Sequence, residues 1–198
     1  MISGERQHPG RRGRVRARGL VAAAAGLSAV LALTGTATAE AAPVPAGGFA
    51  AQAEALGLTA AEAHTLQDRA DAYLAEVGGT QVAANRIRLG AGAVLTLALP
   101  TTAGARQGVS PGAAAYTCGY GHFCAYSDPY RSGDVIDMYA CASYKIPWFG
   151  DGSWENNQTR GTRAQFRDNQ FIVRWTDRGA YDNDDVADWS WVHYVTNC

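Results

Sequence analysis

All four cysteines, Cys118, Cys124, Cys141 and Cys198, fall in the last 81 positions of the chain, among short aromatic runs and glycine turns. An even set confined to a small, strand-like module reads as a disulfide framework, because a module of this size buries limited apolar surface and needs covalent support. Four cysteines allow three pairings, and spacing does not choose among them. The framework places the working part of the chain at its C-terminal side and in an oxidising compartment.

The N-terminal segment agrees with export. Arg6, Arg11, Arg12, Arg14, Arg16 and Arg18 form a basic stretch, Leu20 to Leu33 is an apolar run, and Ala37-Thr-Ala39 and Ala39-Glu-Ala41 both fit small-residue cleavage sites. The apolar run is shorter than the roughly 20 residues of a spanning helix. Residues 1–41 therefore read as a secretory signal peptide, with no membrane attachment after its removal. The chain has 17 Lys and Arg against 18 Asp and Glu. Removal of residues 1–41 takes six arginines and two glutamates, leaving 11 against 16 and a net charge near −5. An acidic surface with a single lysine, Lys145, argues against a nucleic-acid partner.

Residues 42–54 read as a disordered tail. A helix should follow, because Thr59-Ala-Ala-Glu62 is a capping box and Leu66, Ala70, Tyr73, Leu74 and Val77 recur at helical spacing before Gly78-Gly79. Gln81–Leu89 and Val94–Leu99 read as two strands joined by Gly90-Ala-Gly92. Residues 55–99 would then be a helix plus β-hairpin, marginal alone, and are expected to be a prosegment, an intramolecular chaperone or a lid. Pro100 to Ala115 reads as a linker and a processing site. From Tyr116 the texture changes to short strands at Phe123–Tyr126, Val135–Tyr139, Thr162–Phe166, Phe171–Trp175 and Trp189–Val195, separated by turn signals. This pattern predicts a mainly β, antiparallel sandwich with no second full copy of any unit.

Cys118-Gly-Tyr-Gly-His-Phe-Cys124-Ala-Tyr126, followed by Ser-Asp-Pro-Tyr-Arg-Ser-Gly133, has the form C-x5-C-x-Y-x6-G. It resembles the opening of the secreted bacterial peptidase inhibitors typified by actinobacterial metalloproteinase inhibitors. The Ala-, Gly- and Arg-rich, Lys-poor composition fits the same source. The resemblance covers roughly residues 116–175 and implies a βγ-crystallin-like Greek-key fold. Tyr126 would start a folded hairpin and Gly133 would take the positive φ at its corner. Gly152-Ser-Trp-Glu-Asn156-Asn157-Gln-Thr159 resembles the family segment in which an Asn/Asp pair precedes two hydroxyl residues. Here Arg160-Gly161 interrupts the hydroxyl pair, which removes ligands that calcium-binding relatives use. No cofactor is expected, calcium being the one ion the pattern would bring. Seven positions after Trp175 stands Asp182 rather than glycine, so one partial Greek-key pair is expected rather than two. The resemblance also implies a Cys118–Cys124 bridge, which leaves Cys141 with Cys198.

The residues offer little for catalysis. His64, His122 and His193 are scattered, and no G-x-S-x-G, H-E-x-x-H or metal-ligand pair is present. His193 alternates with Trp189, Trp191 and Val195 and reads as a packing histidine. Asp182-Asn-Asp-Asp185 with Asp188 reads as a solvated turn before the last strand. The expectation is a non-enzymatic, monomeric, secreted inhibitor that occludes an extracellular protease. Two loops are the candidate contact surfaces, chosen from the residues and not from the resemblance. One is Gly119–Phe123, carrying Tyr120, His122 and Phe123 inside the small cysteine loop. The other is Lys145–Gly150, where Pro147 stiffens a tip bearing Trp148 and Phe149. The rival expectation is an extracellular binding or structural module for cell-wall glycan, acting through exposed tryptophans such as Trp148.

Overall fold

The structure, a computed structural model, describes residues 48–90, 92–100 and 116–198. The expected signal peptide, residues 42–47 of the tail, Ala91 of the hairpin turn and residues 101–115 of the linker lie outside the described residues. Among the described residues two helices and eleven strands follow in order: α1 Gly48–Ala55, α2 Ala60–Val77, β1 Thr80–Ala83, β2 Arg86–Leu89, β3 Ala93–Thr96, β4 His122–Asp128, β5 Ser132–Met138, β6 Ser143–Lys145, β7 Asp151–Asn157, β8 Gln165–Arg167, β9 Val173–Thr176, β10 Asp182–Asp188 and β11 Tyr194–Thr196. They form a mainly β fold of two antiparallel sheets, ordered β1-β2-β3-β5-β4-β7-β10 and β6-β11-β8-β9.

Strands β4–β7 and β8–β11 repeat one connection pattern. In each set the first two strands are neighbours, the third leaves for the other sheet, and the fourth returns beside the first. The third strands are thus exchanged: β6 pairs with β11, and β10 pairs with β7. A second unit is therefore present, which corrects the expectation of a single partial one. Its hairpin is β8–β9, not a run beginning at Trp175. At the first corner Gly133 has φ 78°, and a Cβ there would fall 2.1 Å from Ser127 Oγ. The second corner uses a carboxylate: Asp168 Oδ1 accepts from the amides of Gln170 and Ile172, while Oδ2 accepts from Arg174 Nε at 2.6 Å. Phe171 sits there at φ 65°.

The acidic run is also a correction. Asp182–Asp188 is a strand, its register on β7 running from Asp182↔Asn156 to Asp188↔Asp151 with a bulge between Asp184 and Ala187. Aspartate is disfavoured in isolated strands, but a partner strand that needs its ladder filled overrides that preference. Nor does Trp189–Val195 form one alternating strand. Trp189, Val192 and Val195 are buried, Trp191 is exposed, and only Tyr194–Thr196 is extended.

The helix and hairpin form as expected but are not a separate piece. Thr59 caps α2, its hydroxyl accepting from the Glu62 amide while Glu62 accepts from the Thr59 amide. Leu66 and Ala70 are buried, with Tyr73, Leu74 and Val77 packed on the same core. Gln81–Leu89 is broken by a turn at Ala84-Asn85 into β1 and β2, which pair with each other. Strand β3 then pairs with β5, Leu95 opposite Ile136 and Ala93 opposite Met138, so the hairpin continues the large sheet. Residues 48–54, expected in a disordered tail, belong to α1, whose Ala53 is buried and whose Gln52 accepts from the Ala84 amide.

One carboxylate fastens this helical layer. Asp134 on β5 accepts from Arg69 Nη2 at 2.5 Å, Tyr73 Oη at 2.6 Å and the Ala98 amide at 2.7 Å. Tyr73 in turn accepts from Trp148 Nε1 at 2.9 Å. Lys145 Nζ adds bonds to the carbonyl and carboxylate of Glu76, at 3.2 and 3.4 Å. Asp134→Ala is expected to lower the unfolding free energy by about 2 kcal/mol, because it leaves the half-buried Arg69 guanidinium, the Tyr73 phenol and the Ala98 amide without their acceptor. Urea denaturation measures this, and a change below about 1 kcal/mol would show that the helix is held by packing alone. Cleavage within 101–115 is expected to leave the two fragments co-eluting on gel filtration under native conditions. A chain starting at Tyr116 should aggregate, since its β5 edge and apolar face lose Leu95 and Leu97.

Candidate functional site

Two disulfides, Cys118–Cys124 and Cys141–Cys198, brace the fold, and all four cysteines are used. The first closes a six-residue step whose ends are buried. Asn157 Nδ2 donates to the Cys118 carbonyl at 3.0 Å, the Gly121 amide donates to the Asn157 carbonyl at 2.7 Å, and the His122 amide donates to the Gly119 carbonyl at 3.1 Å. Behind the loop, Asp137 accepts from Tyr116 Oη and lies 2.6 Å from His122 Nδ1. The loop is held at its base and from behind, and Tyr120 projects from it, 76% exposed.

The candidate residues divide accordingly. Phe123 is fully buried between Trp154 and Phe166, so it belongs to the core and not to a contact surface. His122 is part-buried against Asp137 rather than solvated. In the second loop Trp148 is anchored by its bond to Tyr73 and its ring lies 6.4 Å from Trp189, so it is no exposed platform. Pro147 is half-buried, whereas Phe149 is 85% exposed. The Gly150 carbonyl accepts from the Trp189 amide at 2.8 Å, which fixes the chain just beyond that tip. Tyr120 and Phe149 do not converge. His122 pairs with Asn157 at one end of β7, whereas Phe149 precedes Asp151 at the other. Six residues of strand separate the ends by about 20 Å.

The motif residues are structural. Tyr126 is buried, its hydroxyl donating to the Tyr116 carbonyl at 3.0 Å, and its carbonyl accepts from Trp189 Nε1 at 2.9 Å. A Cβ at Gly152 would fall 2.0 Å from that indole nitrogen, so only glycine admits the ring. Asn156, fully buried, donates to the Thr162 carbonyl and to Asp177 Oδ2, and accepts from Gln158. Asp177 also accepts from the Ala164 and Gly179 amides, and burial pushes its carboxyl above the usual range. Asp182, named with the acidic run, is neutralised by Arg178 at 2.5 Å, which holds it below the usual carboxylate range. His193 meets none of these aspartates. Among the described residues no group of three or more His, Cys, Asp or Glu could hold a metal ion.

Two features were not anticipated. Tyr130, at the β4–β5 corner, is 72% exposed at φ 58°, its amide bonded to the Asp185 carbonyl at 2.8 Å and the next amide bonded to Ser153 Oγ. The second is a groove between strands β9 and β10, one edge strand from each sheet. Trp154, Phe166 and Trp189 close its floor, Trp175 and Trp191 flank it, and Asp184 and Asp188 stand beside them. The repeated connection pattern, though not the groove, has a signal in the chain: Trp148 and Trp154-Glu-Asn156 have the same spacing as Trp189 and Val195-Thr-Asn197. In each set the leading tryptophan precedes the strand that returns beside the first, β7 or β11, and the later pair falls in or just after it.

No family model, no curated protein and no solved structure matches the chain.

Burial pushes the Tyr116 phenol up to about 12, helped by its bond to Asp137, and pushes Tyr73 and Tyr126 up as well. A phenol raised in the fold stabilises fully below its unfolded value of about 10, and that contribution is lost as pH climbs through the folded value. The phenol contribution to stability should therefore be level up to about pH 10 and fall between about 10 and 12. Tyrosinate absorbance read beside circular dichroism tests this. Ionisation of all nine tyrosines near pH 10 with the fold intact would contradict it.

Proposed function

We propose that this chain is a secreted peptidase inhibitor with a βγ-crystallin-like double Greek key. One observation carries the reading. Tyr120 stands out, mostly exposed, from a loop closed by the Cys118–Cys124 bridge and bonded at its base to Asn157. A projecting aromatic on a pre-shaped loop enters a cleft with little ordering entropy to lose, and tyrosine is among the residues that dominate interface energies. The exchange of third strands supports the crystallin-like part of the reading, as does the Tyr126–Gly133 corner. Two disulfides fit an oxidising, extracellular setting, and among the described residues no helix is long and apolar enough to cross a membrane.

The mechanism is occlusion. The loop occupies the cleft of an extracellular protease, and the clamp at its base resists the extension that cleavage requires. Titration of the purified, oxidised protein against thermolysin-like metalloproteases and against serine proteases should give a stoichiometric loss of activity. Tyr120→Ala should weaken inhibition about tenfold or more without changing the thermal midpoint, and Phe149→Ala, at the far end of β7, should leave it unchanged. Full protease activity at large molar excess would reject the reading.

A further inference from the structure

The groove between β9 and β10 carries uncompensated charge. Asp184 accepts from the Val186 amide at 3.0 Å and Asp188 from the Ser190 amide at 2.8 Å, and among the described residues neither has a cationic partner. The hydroxyl and amide of Ser190 hold Asp188 below the usual carboxylate range, so it is ionised at neutral pH. No basic side chain lines the groove. The arginines of the surrounding strands are engaged elsewhere: Arg131 with Glu155 and Asp185, Arg167 with Gln165 and Thr196, Arg174 with Asp168, and Arg178 with Asp182.

Aromatic faces line the same groove. Trp175 and Trp191 are 42% and 37% exposed at the lips, over a buried aromatic floor. The space measures about 230 Å³, enough for roughly seven ligand atoms at about 30 Å³ for each water-sized group. Indole faces attract a cation through their quadrupole and pack against its methyl or methylene groups, while the carboxylates supply counter-charge. A neutral sugar also stacks on indoles but gains nothing from the net charge of this rim. We propose that the groove binds a small organic cation, a quaternary or alkylammonium group of about choline size. The site is independent of the Tyr120 loop.

Titrating the intact, disulfide-bonded protein with choline chloride, with its uncharged tert-butyl analogue dimethylbutanol, and with N-acetylglucosamine tests the assignment through tryptophan fluorescence and indole NMR resonances. Choline should give a saturable change, the neutral analogue should bind at least tenfold more weakly, and the sugar should not compete. Asp188→Asn, an exposed change that leaves the thermal midpoint in place, should weaken choline binding about tenfold, as should Trp175→Ala. Equal affinity for the neutral analogue, preference for the sugar, no saturable response to choline, or wild-type binding by a folded Asp188→Asn protein would each overturn the proposal.

Discussion

The reciprocal loan of a strand is the constraint from which the rest follows. Because β6 completes the sheet of β8, β9 and β11, and β10 completes the sheet of β4, β5 and β7, neither half can close without the other. The seam is filled by rings in mutual contact. Trp154 meets Phe123, Phe166 and Trp175, and Trp189 meets Phe166 and Trp148, at centroid separations of 4.8 to 6.4 Å across the cluster. Such rings bury large areas each and fill an irregular interface with few residues. The exchange also leaves β9 and β10 as free edges, and the groove is the gap between them.

The helical layer is built into this arrangement through polar groups rather than through apolar packing alone. Asp134 sits on β5 inside the repeated part of the fold, yet its donors come from α2 and from the chain leaving β3. The chain of bonds continues through Tyr73 to Trp148, so the helix also fixes the segment that presents Phe149. An added hairpin thus extends the large sheet and covers the β5 edge, an edge that would otherwise be open to pairing with other chains.

Legibility followed the locality of the signal. The α2 cap was readable because Thr59 and Glu62 satisfy each other within one turn. The Tyr126–Gly133 corner was readable through the resemblance, and its positive φ beside the Ser127 and Asp128 side chains leaves only glycine there. Strand β7 was not, since Asp-Gly-Ser-Trp-Glu-Asn-Asn contains no β-branched residue and is a strand only because β4 and β10 flank it. Strand β10, with four aspartates in seven residues, was hidden likewise and is extended because it pairs with β7. The second repeat hid because its corner replaces glycine with the Asp168 carboxylate. Of the candidate contact residues, Tyr120 and Phe149 are at the surface, while Phe123 and Trp148 are taken up by contacts from elements distant in sequence. The groove escaped for the same reason: Trp175, Asp188 and Trp191 meet only through the exchange.

Lys145, the lone lysine, lies in the short strand β6 with its amine bound to Glu76. For endopeptidases that cut after lysine the whole chain offers one scissile bond, followed by Ile146 and then Pro147, and that bond is locked in a ladder beside β11. The same scarcity gives amine-directed labels a single side chain to modify.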